Sequence, residues 1–325
     1  MRALVCKAWG STDDLVLEDY DDPVAGPGQV VVDVHAAGIN FPDLLVVAGK
    51  YQDKIPPPFI PGNEAAGIVS AVGEGVDRFK PGDSVIALPR GGAFAEQVVV
   101  DQSLLAPLPP NLGFAEGAGF GVIYGTSYHA LKQGANLQSG ETVLVLGAAG
   151  GVGIAAVQLA KAMGAEVIAA ASTVEKLDYA RAAGADQVID YTSMPLKETV
   201  REMTDGAGVD VVFDPVGGDQ AQAALRALGW HGRHLVIGFA AGDIPAFPAN
   251  IALLKEASIV GVWWGTWVAR HGAEHLDNMR ELADWLADGT LVPRVSETFA
   301  IDDYREAFRR ISERRALGKV VLTLR

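Results

Sequence analysis

Between residues 147 and 153 the chain reads Gly-Ala-Ala-Gly-Gly-Val-Gly, preceded by the strand-like run 142–146 and followed by the helix-like run 154–163. A strand that feeds a glycine turn and then a helix aims unpaired main-chain N–H groups and the positive helix end at one point. A pyrophosphate fits such a point. In a G-x-G-x-x-G frame the three positions fall on Ala148, Gly150 and Gly153. Another strand follows about 13 residues later, as a dinucleotide-binding βαβ unit requires. A turn kept tight for packing alone is the competing reading, and the flanking strand and helix weigh against it.

The next strand discriminates between cofactors. An NAD site usually ends it with Asp or Glu, which accepts from the ribose 2′-OH. Here 166–173 reads Glu-Val-Ile-Ala-Ala-Ala-Ser-Thr and ends without an acid. Ser172 can donate to a 2′-phosphate and Lys176 can add positive charge, so NADPH is the expected cofactor. The alternative is that Lys176 is a solvated helix residue and that Glu175 spoils the pocket.

These groups need a sheet to present them. From about residue 141 strands alternate with helices, the rhythm of a parallel sheet. Strands are expected at 142–146, 166–171, 187–190, 209–213, 234–238 and 259–263, and helices at 154–163, 175–183, 196–204 and 220–228. Six strands in that order predict a doubly wound fold. Before them lie short β-like runs at 15–17, 29–35, 65–72, 84–88 and 94–100, which predict a partly closed barrel. Pro56-Pro57-Pro58 predicts an extended loop. After 264, amphipathic runs at 275–287 and 302–313 and an apolar run at 319–324 are expected to return to the first domain. The domains are therefore 1–122, 123–264 and a return segment 265–325.

Composition narrows the partners. The 26 basic and 40 acidic residues leave a formal charge of −14, which repels nucleic acid and anionic bilayers. Cys6 is the sole cysteine, so an intrachain disulfide and a thiolate-rich zinc site are excluded, and an intracellular, cytoplasmic location is expected. No apolar run is long enough to span a membrane. Histidines 35, 129, 231, 234, 271 and 275 are scattered, with no set of about three ligands for a catalytic zinc, so no metal is expected. His231 and His234 are placed at a strand entrance.

The run from Gly38 through Asn40, Phe41, Pro42, Asp43 and Gly49 to Tyr51 resembles a known family. With Pro61-Gly62-Asn63-Glu64, Tyr124-Gly125-Thr126 and 147–153, it is similar to the zinc-independent branch of the medium-chain dehydrogenase/reductases, in particular NADPH:quinone oxidoreductases of the ζ-crystallin-like type. The resemblance covers essentially the whole chain. Zinc-binding relatives carry a Cys just before the position of Asn40 and Gly-His-Glu where this chain has Gly62-Asn63-Glu64. The lobe that holds a structural zinc is absent too, since 85–96 is a short connection.

The resemblance implies an α/β molecule: a GroES-like β-barrel domain, called the catalytic domain, plus a doubly wound parallel-sheet (Rossmann) domain. It places Asn40 near the nicotinamide ribose and Thr126 near its amide. It assigns Gly150, Gly151 and Val152 to the pyrophosphate and Ser172, Lys176 and Tyr191 to the 2′-phosphate. Phe239, Asn250 and Lys319 follow as looser cofactor candidates. Tyr51 is the proton-donor candidate, with a wall residue as the alternative. Asp43 is to order Tyr51 or Lys50, or to hold its own loop.

The implied reaction is hydride transfer from NADPH to a quinone or to the β-carbon of an α,β-unsaturated carbonyl, with the nicotinamide pointing at Asn40, Tyr51 and Thr126. An enoyl-thioester reductase and a cofactor-binding protein with little turnover are the alternatives. Trp263, Trp264 and Trp267 either stack on a flat substrate or form core or a dimer seam. A homodimer is implied, paired through 259–262.

Overall fold

A computed structural model describes all residues from Met1 to Arg325, in two compact units: Met1–Val122 with Pro293–Arg325, and Ile123–Val292. The first unit opens with β1 (Arg2–Val5), β2 (Val16–Asp19), β3 (Gln29–Ile39), β4 (Ala65–Val72), β5 (Ser84–Ala87), β6 (Gln97–Asp101) and β7 (Leu105–Pro107). The second holds β8 (Thr142–Leu146), β9 (Glu166–Ala171), β10 (Gln187–Asp190), β11 (Val209–Asp214), β12 (Leu228–Val236) and β13 (Ser258–Gly261). The chain then returns to the first unit with β14 (Val295–Ala300) and β15 (Lys319–Thr323).

In the first unit, alternation along β3 buries Val30, Val32 and Val34 against Phe94, Val98, Val320 and Leu322, and these form its main core. The sheet order is β14-β15-β3-β4-β5-β7, with β6 also on β3. Strand β15 runs antiparallel to β3, pairing Val320 with Ile39 and Leu322 with Ala37. That register brings Lys319 to the end of β3 that leads into Asn40. A short helix, Phe41–Val47, follows β3 at once; Pro42 suits its first turn and Asp43 its positive end.

In the second unit the order is β10-β9-β8-β11-β12-β13, all parallel. Its central strands β8, β9 and β11 are buried on both faces, and the helix Gly151–Ala162 buries every residue from Gly153 to Ala160. Consecutive crossovers reverse direction between β8 and β11, so the switch point of the sheet lies at the carboxyl end of β8, where ligands bind in such folds. Strand β13 closes one edge of the sheet with Ile259 exposed.

Three local readings differ from the sequence analysis. Strand β12 begins at Leu228, not 234, because Leu228 already pairs with Val209 before a register shift. His234 therefore lies inside the strand, not at its entrance. The stretch 265–292 lies in the second unit: Lys132 reaches Glu281 at 2.7 Å, Gln133 and Asn278 exchange side-chain hydrogen bonds, and Trp285 meets Tyr128 edge-on. Only Pro293–Arg325 returns to the first unit. No helix is long and apolar enough to cross a membrane.

Candidate active site

The glycine turn owes its shape to two positions. Gly147 takes φ +55 with Val216 Cγ2 only 3.0 Å from where a Cβ would stand. At Gly153 a Cβ would meet Gly147 O at 2.3 Å and Ala148 Cα at 2.9 Å, so the helix can start against its own turn only with glycine there. Gly150 is the N-cap at φ −79, a conformation open to any residue. Ile154 N–H is bonded to Gly150 O at 2.8 Å, which leaves the amides of Gly151, Val152 and Gly153 as the first-turn donors of the helix. Ser127 Oγ donates to Val152 O at 2.9 Å, tying the helix Gly121–His129, which carries half-buried Thr126, to this turn.

Strand β9 ends beside it. Thr173 caps the helix Val174–Arg181, so Lys176 falls in its first turn and its ammonium lies 3.4 Å from Ser172 Oγ. Tyr191 N–H donates to Ala171 O at 3.3 Å, which sets Tyr191 next to that pair. Ser172, Lys176 and Tyr191 thus converge at the carboxyl ends of β9 and β10. Phe239 lies beyond β12 at the same edge, packed so closely on Gly217 that a Cβ there would be 3.0 Å from its ring. Asn250 is exposed, in the first turn of the helix Ala249–Lys255.

The loops after β11 and β12 share one anchor, a buried pair that the sequence analysis did not single out. Asp214 accepts from Val216 N–H and Gly217 N–H, each at 2.9 Å, with one oxygen, and contacts His234 Nε2 at 2.9 Å with the other. Ala240 and Ala241 N–H then donate to Pro215 O and Val216 O. A carboxylate spaced 20 residues from a histidine on the neighbouring strand was the available signal.

The three indoles are divided within the second unit. Trp264 packs on Gly125, where a Cβ would be 2.4 Å from its ring, and Trp267 stacks between His129 and His271. Trp263 alone of the three is strongly exposed.

In the first unit, Asn40, Asp43, Glu64 and Lys319 form one buried polar cluster. Lys319 Nζ donates to Asn40 Oδ1 and to Glu64 Oε2, both at 2.6 Å. Asn40 Nδ2 donates to Glu64 Oε2 at 3.2 Å and Gly38 O at 3.4 Å, and Val122 N–H takes the other Glu64 oxygen at 2.8 Å. Gly38 leaves the room: a Cβ there would be 2.2 Å from Ala118 O and 2.7 Å from Lys319 Cε. Lys319, a cofactor candidate from sequence, is 2 % exposed, and its ammonium is spent on fixing which way the Asn40 amide faces.

These donors do not fit a zinc ion. Asn40 and Asn63 stand at or beside the positions where zinc-binding relatives carry ligands, and both carboxylates of the cluster are engaged: Glu64 by an ammonium and two N–H groups, Asp43 by Asn40 N–H and Asn63 Nδ2.

Asp43 holds its own helix. Its carboxyl accepts from Asn40 N–H at 2.7 Å and from Asn63 Nδ2 at 3.4 Å, while Lys50 and Tyr51 N–H are both tied to Leu45 O. Tyr51 is half-buried against the core of the first unit. Burial pushes the Asp43 carboxyl up from 3.8 to about 7; Asn40 N–H and Lys319 oppose this, and Glu64 adds to it. The fold therefore retains a proton that the unfolded chain has released. Stability from this group is full below the unfolded value and is lost as the pH rises through about 7, at no more than about 1.4 kcal/mol per pH unit. Thermal melts of wild type and Asp43→Asn between roughly pH 4 and 8 should show the wild type losing ground steadily to the variant; parallel curves would refute the assignment.

Comparison with known proteins agrees with this layout. Residues 26–110 match the alcohol dehydrogenase GroES-like domain and residues 151–288 match the zinc-binding dehydrogenase family. The chain is 42% identical over 326 residues to the quinone oxidoreductase-like protein 2 homolog of Nematostella vectensis, covering 99% of this chain and 88% of that one. It is 37% identical over 310 residues, 92% of this chain, to a stretch that makes up 8% of the pikromycin polyketide synthase component PikAII of Streptomyces venezuelae. The crystal structure of Escherichia coli quinone oxidoreductase complexed with NADPH superposes with a TM-score of 0.92 at 29% identity, covering 100% of both chains. The chain belongs to the quinone oxidoreductase family, in the zinc-independent branch of the medium-chain dehydrogenase/reductases.

Proposed function

We propose that this protein is an NADPH-dependent oxidoreductase that reduces a quinone or the β-carbon of an α,β-unsaturated carbonyl. The observation that carries the reading is the turn 147–153 together with the Ser172–Lys176 pair on the adjoining strand end. The solved relative complexed with NADPH supports the same cofactor.

The amides of Gly151 and Val152 take the pyrophosphate. Ser172 and Lys176 take the 2′-phosphate, with Tyr191 beside them, and Thr126, Phe239 and Asn250 are the further cofactor residues. When bound, NADPH supplies a hydride. The first unit contributes Asn40, whose amide is held in one orientation by Lys319, Glu64 and Gly38 O, and Tyr51, which provides the acceptor with a hydroxyl proton. Rate comes from orientation and from preset donors. A quinone becomes a stabilised hydroquinone anion that water can protonate, whereas an enoyl thioester needs a proton delivered to carbon. Exposed β13 is the edge through which two copies would pair.

The matching polyketide synthase stretch supports the enoyl-thioester alternative. One panel separates the readings. NADPH oxidation is followed with an ortho-quinone, a para-quinone and a crotonyl thioester, using wild type and Tyr51→Phe. The quinone reading predicts turnover with quinones that Tyr51→Phe leaves within about twofold; a Tyr51 donor predicts a roughly hundredfold loss of kcat on the thioester. NADPH binding with no oxidation by any acceptor would point to the protein with little turnover and would overturn the proposal.

A further inference from the structure

The segment that carries Tyr51 is held from one side by the residues just after β1. Cys6 and Phe59 exchange backbone hydrogen bonds at 2.8 and 3.2 Å, and Gly10 N–H donates to Val47 O at 3.0 Å. Between these two ties stands Trp9. Its indole Nε1–H donates to Ile55 O at 3.0 Å, beyond Tyr51 in the chain. Before Tyr51, the ring lies on Gly49: φ there is +65, and a Cβ would stand 2.9 Å from both Trp9 Cγ and Cδ2. Trp9 thus grips the segment on either side of Tyr51, over a position that only glycine fills without strain.

The same indole is 46% exposed. A large aromatic at the surface is ordinary when it is loose, but this one is fixed by an N–H anchor and by close contact along its pyrrole part. Its remaining surface is a rigid flat apolar plate whose ordering has already taken place in the free protein. Resting on the oxidoreductase reading above, we infer that Trp9 determines acceptor specificity: it sets the Tyr51 segment and offers its free face to a planar conjugated ring. The acceptor class it selects is the fused-ring quinone, which gains from stacking, over a flexible enoyl thioester, which does not.

The test uses Trp9→Leu and Trp9→Phe in the full chain. Trp9→Leu should raise KM for 2-methyl-1,4-naphthoquinone roughly fivefold, the range of one aromatic contact, with Trp9→Phe recovering part of it. KM for a crotonyl thioester and the NADPH dissociation constant should stay within about twofold, since neither depends on stacking at this plate; release of the Tyr51 segment is read instead as a fall in kcat for the thioester. Equal shifts for both acceptors, or none, overturn the inference. A second arm needs no turnover. The naphthoquinone is titrated into protein without NADPH, and tryptophan emission is compared between wild type and Trp9→Phe, the conservative variant should Trp9→Leu misfold. A saturable quench present only in wild type supports the inference; identical curves overturn it. A wild type that shows the quench but reduces no acceptor defeats the oxidoreductase reading and leaves the Trp9 platform standing.

Discussion

Replacing Gly153 with Val should weaken NADPH binding at least about a hundredfold, equivalent to roughly 2.8 kcal/mol. A Cβ at 153 would lie 2.3 Å from Gly147 O and 2.9 Å from Ala148 Cα, and both are main-chain atoms of the turn that the helix starts from. Neither can swing aside as a side-chain tip would. The turn must open, and the amides proposed above to take the pyrophosphate lose their common aim. Overpacking of this kind should also lower stability by about 1–3 kcal/mol. Gly150→Ala is the informative partner. At φ −79, and with Gly147 O 3.4 Å from the added methyl, it should leave the melting temperature nearly unchanged. It should still weaken NADPH, because the methyl stands where a phosphate must approach the backbone. Calorimetric titration and thermal melts of the two variants check both statements. A Gly153→Val protein that binds as tightly as wild type would contradict them.

The second large effect is expected at the other site. Lys319 and Glu64 are 2 % and 0 % exposed and meet at 2.6 Å. Removing one member of such a pair strands the other charge, which costs about 3–5 kcal/mol, whereas removing both is close to neutral. Lys319→Met should therefore lower the melting temperature by roughly 10 °C. Adding Glu64→Gln to it should restore most of the loss, as the two residues are directly coupled. Lys319→Met should also reduce kcat, since Asn40 Oδ1 loses the donor that sets its amide. Thermal melts of the two single variants and the double variant close the cycle. A double variant that falls by the sum of the singles would show that the pair is not the coupled unit described.

The sequence made the two sites legible to different degrees. Strand β8, the turn and the helix after it could be read because all their determinants are local: a continuous apolar run, glycines at fixed offsets and a helical period. Ser172 and Lys176 were readable for the same reason, lying four residues apart. The cluster around Asn40 was not, beyond the residues that the family resemblance supplied. Lys319 is 279 residues from Asn40 and 255 from Glu64, and only the antiparallel register of β15 on β3 brings them together. The Asp214–His234 pair is invisible in the sequence because the apolar pattern starts β12 at 234. That start puts the histidine at the strand's mouth, whereas the strand begins six residues earlier and buries it. Sequence alone puts 265–292 with the first domain because an amphipathic helix shows that it has a partner but not which one. Gln133, Lys132 and Tyr128 supply that partner in the second unit.

A single calorimetric experiment bears most directly on the central claim, that the turn and the Ser172–Lys176 pair hold a dinucleotide with a 2′-phosphate. NADPH and NADH are titrated separately into wild type and into Lys176→Ala. The account predicts that wild type binds NADPH at least about tenfold more tightly than NADH, a difference of roughly 1.4 kcal/mol, and that Lys176→Ala removes most of that gap by weakening NADPH alone. Equal affinities in wild type, or no binding of either nucleotide, would contradict it.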